Sequence, residues 1–113
     1  MHEYSIVGAL VEQVESEARQ RNATYVRRIR VRIGDLSGVD PELLASAYQV
    51  FRERTLCEDA ELSIERVEAR WVCERCGRVT ARGGILRCGI CGSASRLAQG
   101  DEIVLQQIEI EVP

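Results

Sequence analysis

The first segment of the chain has the hydrophobic period of an amphipathic helix. Apolar side chains recur at steps of three and four residues, and glutamates fill the opposite side. The apolar positions are Val7, Leu10, Val14 and Ala18, with Ile6 and Val11 widening the stripe. The pattern predicts a helix with Ser5 as its N-cap and Asn22 at its C-terminal stop.

The next apolar positions alternate strictly with arginine, which is the period of a β-strand. The alternating residues are Arg28, Ile29, Arg30, Val31, Arg32 and Ile33. This strand is expected to present one aliphatic face and one arginine face. Glycines at positions 34 and 38 then indicate a loop.

A second helix is predicted to begin at Asp40, because an N-cap side chain is followed there by Pro41 and the acidic Glu42. Its buried stripe is expected to contain Leu44, Ala47, Tyr48 and Phe51. Cys57 follows in a turn and is interpreted as a half-buried small apolar residue.

Two further strands, residues 61–72 and 102–112, each change their alternation phase part-way along. The phase changes near Glu65 and Arg66 in the first strand, and at Gln106 and Gln107 in the last. A β-bulge at each place would explain the change. Since the two strands flank the cysteine-rich segment, they are predicted to pair with each other in antiparallel fashion.

These elements predict an α+β (mixed α/β) fold, in which two helices cover a small three-stranded mixed sheet. The strand–helix–strand unit favours a parallel pair with a right-handed crossover. Residues 1–70 and 100–113 are assigned to an α/β domain, and residues 71–99 to a zinc-ribbon-like module inserted between the last two strands.

Four cysteines in two C-x2-C-G turns form the strongest motif. Cys73 and Cys76 make the first turn, and Cys88 and Cys91 the second. Four converging thiolates suit a closed tetrahedral zinc site, which would be structural because it has no open position. Two disulfides and a rubredoxin-type iron site are the alternatives.

The charge distribution is uneven. The chain of 113 residues has a formal net charge of -3, which argues against nucleic acid as the main ligand. Residues 70–98 contain six arginines and a single acidic residue, Glu74, so they carry +5 and the remainder carries -8. This segment, or the arginine face of strand 28–32, is predicted to meet an acidic partner. The alternative is that the arginines merely compensate the metal thiolates.

The amino terminus contains the only histidine, His2. The Met1 amine, the main-chain nitrogen of His2 and its imidazole could close two adjacent chelate rings on one metal ion. Nitrogen donors in a plane suit Ni(II) or Cu(II). The main-chain nitrogen of Glu3 or the carboxylate of Asp40 could supply a fourth donor.

The combination of Met1-His2-Glu3 at the start of a helix, a strand–helix–strand unit and a double C-x2-C-G module resembles the HypA/HybF family of nickel-incorporation proteins. The resemblance covers essentially the whole chain, although Glu74 and Gly89 stand where the family often has proline. It implies that His2 and Glu3 serve nickel, and that the four module cysteines hold zinc. It also implies delivery of nickel to the [NiFe]-hydrogenase large-subunit precursor, with the GTPase HypB as partner.

No catalytic constellation is present, so the chain is predicted not to be an enzyme. Its expected cofactors are structural Zn(II) and transiently bound Ni(II). It is expected to be cytoplasmic, to bind neither membrane nor nucleic acid, and to be a monomer or weak homodimer. The alternative functions are a zinc-ribbon adaptor without transferable metal and a small iron redox protein.

Overall fold

The computed structural model describes residues 2–79 and 87–113, with His2 described by its backbone only. In these residues, two helices and five strands follow one another in the order helix, strand, helix and four strands. The elements are α1 (His2–Gln20), β1 (Tyr25–Gly34), α2 (Pro41–Phe51), β2 (Glu61–Val67), β3 (Arg70–Cys73), β4 (Ser95–Gln99) and β5 (Ile103–Glu111).

The main sheet has three strands in the order β2-β1-β5. β1 pairs in parallel with β2 and antiparallel with β5, so the sheet is mixed as predicted. β3 and β4 form a separate two-stranded antiparallel sheet that carries the cysteine segment. The predicted fold class is confirmed.

Helix α1 begins earlier than the sequence pattern indicated. Because the helix starts at His2, Ser5 lies inside its second turn, and the prediction of Ser5 as N-cap was wrong. The C-terminal stop is confirmed: Asn22 has a φ of 57°, and the N–H of Ala23 donates to the Ala18 carbonyl.

One hydrophobic core joins both helices to one face of the main sheet. The helices contribute buried residues at the predicted helical spacing, and β1 contributes its aliphatic face. The buried residues of these elements are Val7, Leu10, Val11, Val14, Ala18, Val26, Ile29, Val31, Ile33, Leu44, Ala47 and Tyr48. Cys57 also lies in this core and is fully buried rather than half-buried.

Helix α2 begins at the predicted cap. The Oδ1 atom of Asp40 accepts hydrogen bonds from the N–H groups of Glu42 and Leu43. The predicted burial of Phe51 was wrong, because its side chain is 37% exposed at the last turn of the helix. Its ring packs instead against the ring of Tyr4, with 5.9 Å between centroids.

The predicted pairing of the two long strands was wrong, because β1 lies between β2 and β5. The segment 61–72 is two strands, which are separated at Glu68 and Ala69 and belong to different sheets. The bulge expected at Glu65 and Arg66 is absent, because β2 pairs with β1 in a continuous register there. The bulge of the last strand is confirmed, since the β1–β5 register skips Gln106.

Three backbone segments cross where the chain leaves the main sheet. A Cβ atom on Gly34 would lie 2.2 Å from the carbonyl carbon of Gly100. A Cβ atom on Gly100 would lie 2.5 Å from the Cα of Ala69. Across this junction, the N–H of Leu36 donates to the Gly100 carbonyl at 2.7 Å. The junction therefore accepts only glycine at positions 34 and 100.

Among the described residues, no helix has both the length and the apolar character needed to cross a membrane.

Tyr48 anchors the turn after α2 from within the core. Its hydroxyl donates to the carbonyl oxygens of Ala60 at 2.7 Å and Cys57 at 3.3 Å. Burial raises the pKa of Tyr48 to about 12, and burial likewise raises the pKa of the Cys57 thiol to about 11. Both groups are therefore held in their neutral forms.

Replacing Tyr48→Phe is expected to destabilise the fold by about 1–2 kcal/mol at pH 7, because buried carbonyls lose their donor. In the wild type, the unfolded state ionises Tyr48 above its ordinary pKa of 10.0, whereas the folded state keeps the proton until about pH 12. The free energy of unfolding therefore falls as pH rises from about 10 to about 12, and it should fall less in the variant. Urea unfolding at pH 7 and at pH 11 measures both effects. Tyr25→Phe, at a 45% exposed position, is the control and should change neither value.

Replacing Gly100→Ala is expected to destabilise the fold by about 3 kcal/mol or more, since the new methyl group meets the Ala69 backbone. Gly38→Ala is a matched control. Both glycines have positive φ, 107° and 81°, but a Cβ on Gly38 would meet nothing within 4 Å. Gly38→Ala should cost only about 1 kcal/mol. Equal losses in thermal unfolding would show that backbone conformation alone, rather than the crossing, requires Gly100.

Candidate metal centre

The two cysteine turns are held together by the small β3–β4 sheet. Cys73 ends β3, and Cys76 follows in the adjoining turn. Cys88 and Cys91 lie in a second turn, which the bridge between Arg87 and Ala94 closes. The antiparallel pairing of β3 with β4 brings the second turn back to the first.

Each turn repeats the same backbone geometry. The N–H of Gly77 donates to the Cys73 carbonyl at 3.0 Å, and the N–H of Gly92 donates to the Cys88 carbonyl at 2.9 Å. The two glycines have φ values of 74° and 71°, a region that other residues rarely adopt. The glycine after each C-x2-C pair is thus what allows the chain to fold back toward its own sulfurs.

The four sulfurs converge on one point. The Sγ atoms of all four cysteines lie within 4.8 Å of one another. The Sγ–Sγ distances are 3.2 Å for Cys73 and Cys91, 3.6 Å for Cys76 and Cys88, and 4.0 Å for Cys76 and Cys91. A tetrahedron with metal–sulfur bonds of about 2.3 Å has edges of about 3.8 Å, so the cluster has the size of a tetrathiolate metal site.

The local donors favour thiolates at three of the four positions. The backbone N–H of Cys76 lowers the pKa of Cys73, the N–H of Cys91 lowers that of Cys88, and the hydroxyl of Ser93 lowers that of Cys91. At Cys76 the Arg78 N–H lowers the pKa, but desolvation and the neighbouring sulfurs outweigh it and raise the pKa. Thiolates are the form that binds metals.

The structure does not contain the two-disulfide alternative. All five cysteines are free thiols, and the shortest Sγ–Sγ distance of 3.2 Å exceeds the disulfide bond length of about 2.05 Å. The fifth cysteine, Cys57, lies in the hydrophobic core and is not one of the cluster's four members.

A second group of candidate ligands lies at the start of α1. Glu3 is buried, with 8% exposure, and its Oε2 accepts a hydrogen bond of 3.1 Å from the N–H of Asp40. This bond joins the amino terminus to the N-cap of α2. The structure therefore brings together Glu3 and Asp40, two of the residues proposed for nickel. Met1 and the side chain of His2 lie outside the described residues.

The sequence pattern missed the contact between Glu3 and Asp40. The two residues are 37 positions apart, and Asp40 belongs to no periodic stripe that would indicate Glu3 as its partner. One signal was available: Glu3 lies four residues before Val7, so it continues the stripe that α1 buries, and a buried carboxylate needs a hydrogen-bond donor. A buried carboxylate near the N-cap of α2 positions the first turn of α1.

A family model described as "Hydrogenase/urease nickel incorporation, metallochaperone, hypA" matches residues 1–110. The hydrogenase maturation factor HypA of Aquifex aeolicus is 39% identical, over 99% of this chain and 99% of its own. The HypA of Wolinella succinogenes is 40% identical, over 98% of this chain and 96% of its own.

Solved structures show the same similarity. The solution structure of the Ni metallochaperone HypA from Helicobacter pylori matches with a TM-score of 0.72 and 32% identity, over 98% of each chain. A structure described as the solution structure of HypA protein matches with a TM-score of 0.80 and 32% identity, over 100% of this chain and 98% of that one. These matches confirm the resemblance inferred from the sequence.

The four-cysteine cluster is expected to bind one metal ion per chain. Co(II) added to metal-free, reduced protein should produce the intense sulfur-to-metal charge-transfer absorption of a tetrahedral tetrathiolate site. Cys88→Ser should reduce this absorption strongly, because one thiolate is replaced by a poor ligand. Cys57→Ala should leave it unchanged, since that sulfur is in the core. An unchanged spectrum in Cys88→Ser would contradict the assignment.

Proposed function

Since the chain belongs to the HypA family of nickel-incorporation metallochaperones, we propose that it binds Ni(II) at its amino terminus and helps insert it into the [NiFe]-hydrogenase large subunit. The family description is of a metallochaperone, so the prediction that the chain is not an enzyme is confirmed. Nickel is its cargo, which must be held weakly enough to be passed on.

The observation that supports the amino-terminal site is the start of α1 at His2. Inside a helix, each main-chain N–H donates to the carbonyl four residues earlier. At the first residue no such carbonyl exists, so the His2 nitrogen is not committed to an intrahelical bond. It is therefore available to lose its proton and bind nickel between the Met1 amine and the His2 imidazole.

The bond between Glu3 and Asp40 gives this site a fixed support. The Glu3 carboxylate holds the Asp40 N–H, and Asp40 Oδ1 in turn caps α2. Asp40 is exposed, so its carboxylate is accessible beside the first turn of α1. We assign the fourth donor to the Glu3 main-chain nitrogen or to the Asp40 carboxylate. The side chain of Glu3 acts by positioning the first turn of α1 against Asp40.

We assign the four-cysteine cluster to a resident structural Zn(II) held by Cys73, Cys76, Cys88 and Cys91. The sulfur distances fit zinc, and a closed set of four thiolates leaves no position for a substrate. Bound there, zinc would add the cross-link that so small a β3–β4 sheet lacks. An iron–tetrathiolate protein would be coloured when oxidised, so the colour of the purified protein distinguishes the iron alternative from zinc.

The proposed partners are the GTPase HypB and the hydrogenase large-subunit precursor, and the proposed location is the cytoplasm. The zinc-ribbon adaptor remains the competing function. The two differ in one property, because an adaptor has no need of a transferable metal at the amino terminus.

Ni(II) affinity is expected to depend on both His2 and a free Met1 amine. His2→Ala removes the imidazole and opens one chelate ring, so affinity should fall by about ten-fold or more. An extension of a few residues before Met1 should cause a similar loss by converting the amine to an amide. Isothermal titration of untagged protein measures both effects. Acid should also release the metal as the imidazole gains a proton, in a window below neutrality.

Glu3 and its conservative variant complete this test. Glu3→Ala should weaken nickel binding through loss of the contact with Asp40, whereas Glu3→Gln keeps an acceptor oxygen and should restore most of the affinity. Circular dichroism should show the same helix content in every variant. Equal nickel affinity in wild type, His2→Ala and the extended chain would overturn the amino-terminal site and favour the adaptor.

A further inference from the structure

Two surfaces of the chain carry several arginines, and the arginine face of β1 is compensated within the sheet. Parallel pairing sets Glu61 beside Arg28 and Glu65 beside Arg32. Each pair forms an ion pair of 3.5 Å. From the other side, the Oε2 of Glu109 lies 3.3 Å from Arg28. This face therefore offers little net positive charge to a partner.

The cysteine module is different. Within residues 2–79 and 87–113, its arginines are exposed and none forms an ion pair with a carboxylate. These arginines are Arg70, Arg75, Arg78, Arg87 and Arg96. Two of them turn toward the cysteine turns: Arg78 lies 3.9 Å from the sulfur of Cys76, and Arg87 donates to the Gly92 carbonyl at 3.1 Å. Those two arginines are placed to compensate the negative charge of the thiolates. The other three remain available to bind a partner.

Strand pairing places two of the available arginines around a pair of valines. Val72 lies opposite Arg96 on β4 and bridges to Val79 on its other side. Directly opposed residues share one face of a sheet, and Arg70 shares it because it lies two positions before Val72 on the same strand. We name the surface of Arg70, Val72, Val79 and Arg96 the module face. Val79 is 65% exposed there.

We propose that the module face is a docking surface for an acidic segment of a partner protein that also carries aliphatic side chains. The arginines can bind carboxylates in bidentate fashion, and the valines can bury an aliphatic side chain between them. The proposal extends the function given above and does not depend on nickel binding. It assigns partner recognition to the cysteine module and nickel binding to the amino terminus.

The observations favour protein over nucleic acid as the occupant. Outside residues 70–98 the chain carries -8, which would repel a polyanionic backbone. Base stacking requires exposed aromatic rings, and Trp71, the one aromatic residue of this segment, is half-buried and alternates with Val72 toward the opposite side of β3. An exposed valine has no complement on a phosphate backbone but has one in an aliphatic side chain.

The test uses the full, zinc-loaded chain and three fluorescent probes of equal charge. One is a short peptide of glutamates interspersed with leucines, the second a peptide of glutamates and serines, and the third a single-stranded DNA oligonucleotide. The leucine peptide should bind most tightly, and its binding should weaken as salt rises. The double variant Arg70→Gln/Arg96→Gln should weaken it by about ten-fold, and Val79→Ser by about three-fold.

Two matched controls lie off the module face. Arg30→Gln removes an arginine of the β1 face, and Ile90→Ser removes a 72% exposed aliphatic side chain from the second cysteine turn. Neither should change the affinity, and every variant should keep its zinc. Equal losses in the controls, tighter binding of DNA than of the leucine peptide, or salt-dependent self-association of the chain in place of peptide binding would each overturn the proposal.

Discussion

Gly34 and Gly100 bring the end of β1 and the β4–β5 connection into direct backbone contact, with Ala69 packed beyond them. All three segments meet there, so the chain leaves the main sheet from β2 into β3 and returns from β4 into β5 at the same place. The Asp35 N–H donates to the Val67 carbonyl and the Leu36 N–H to the Gly100 carbonyl, so the loop after β1 is held at the same junction. The loop after β1 leads from this junction to Asp40 beside the proposed nickel site, and β3 and β4 lead from it to the cysteine turns.

The two sites are built in ways that suit different tasks. The cysteine cluster offers four sulfur ligands on two turns of the same glycine-dependent geometry, which favours a permanently held ion. The proposed nickel site lies at a chain terminus and draws on the first turn of α1. Its support is the buried Glu3 carboxylate on Asp40, at the end of the loop that leaves the junction. A site with few fixed ligands at a chain end can release its ion to an acceptor.

Local patterns in the sequence predicted the helices, the individual strands and the cysteine turns, because each depends on residues close together in the chain. The glycine after each C-x2-C pair and the bulge at Gln106 are examples. The central position of β1 was missed, since alternation alone does not say which strand has two neighbours. A signal was present: Glu61 and Glu65 repeat the four-residue spacing of Arg28 and Arg32 that they pair with. The partner of Glu3 had no local signal, because the contact with Asp40 is made only when the folded core brings α1 to α2.

We propose that nickel binds through nitrogen at the amino terminus and not through sulfur in the cysteine cluster. X-ray absorption at the nickel edge, on untagged protein loaded with one Ni(II) per chain in the presence of zinc, identifies the ligand atoms. We expect nitrogen and oxygen neighbours in a planar arrangement, with no sulfur and no paramagnetism. Sulfur neighbours around nickel, or an octahedral ion with the same spectrum in a chain extended before Met1, would contradict the account.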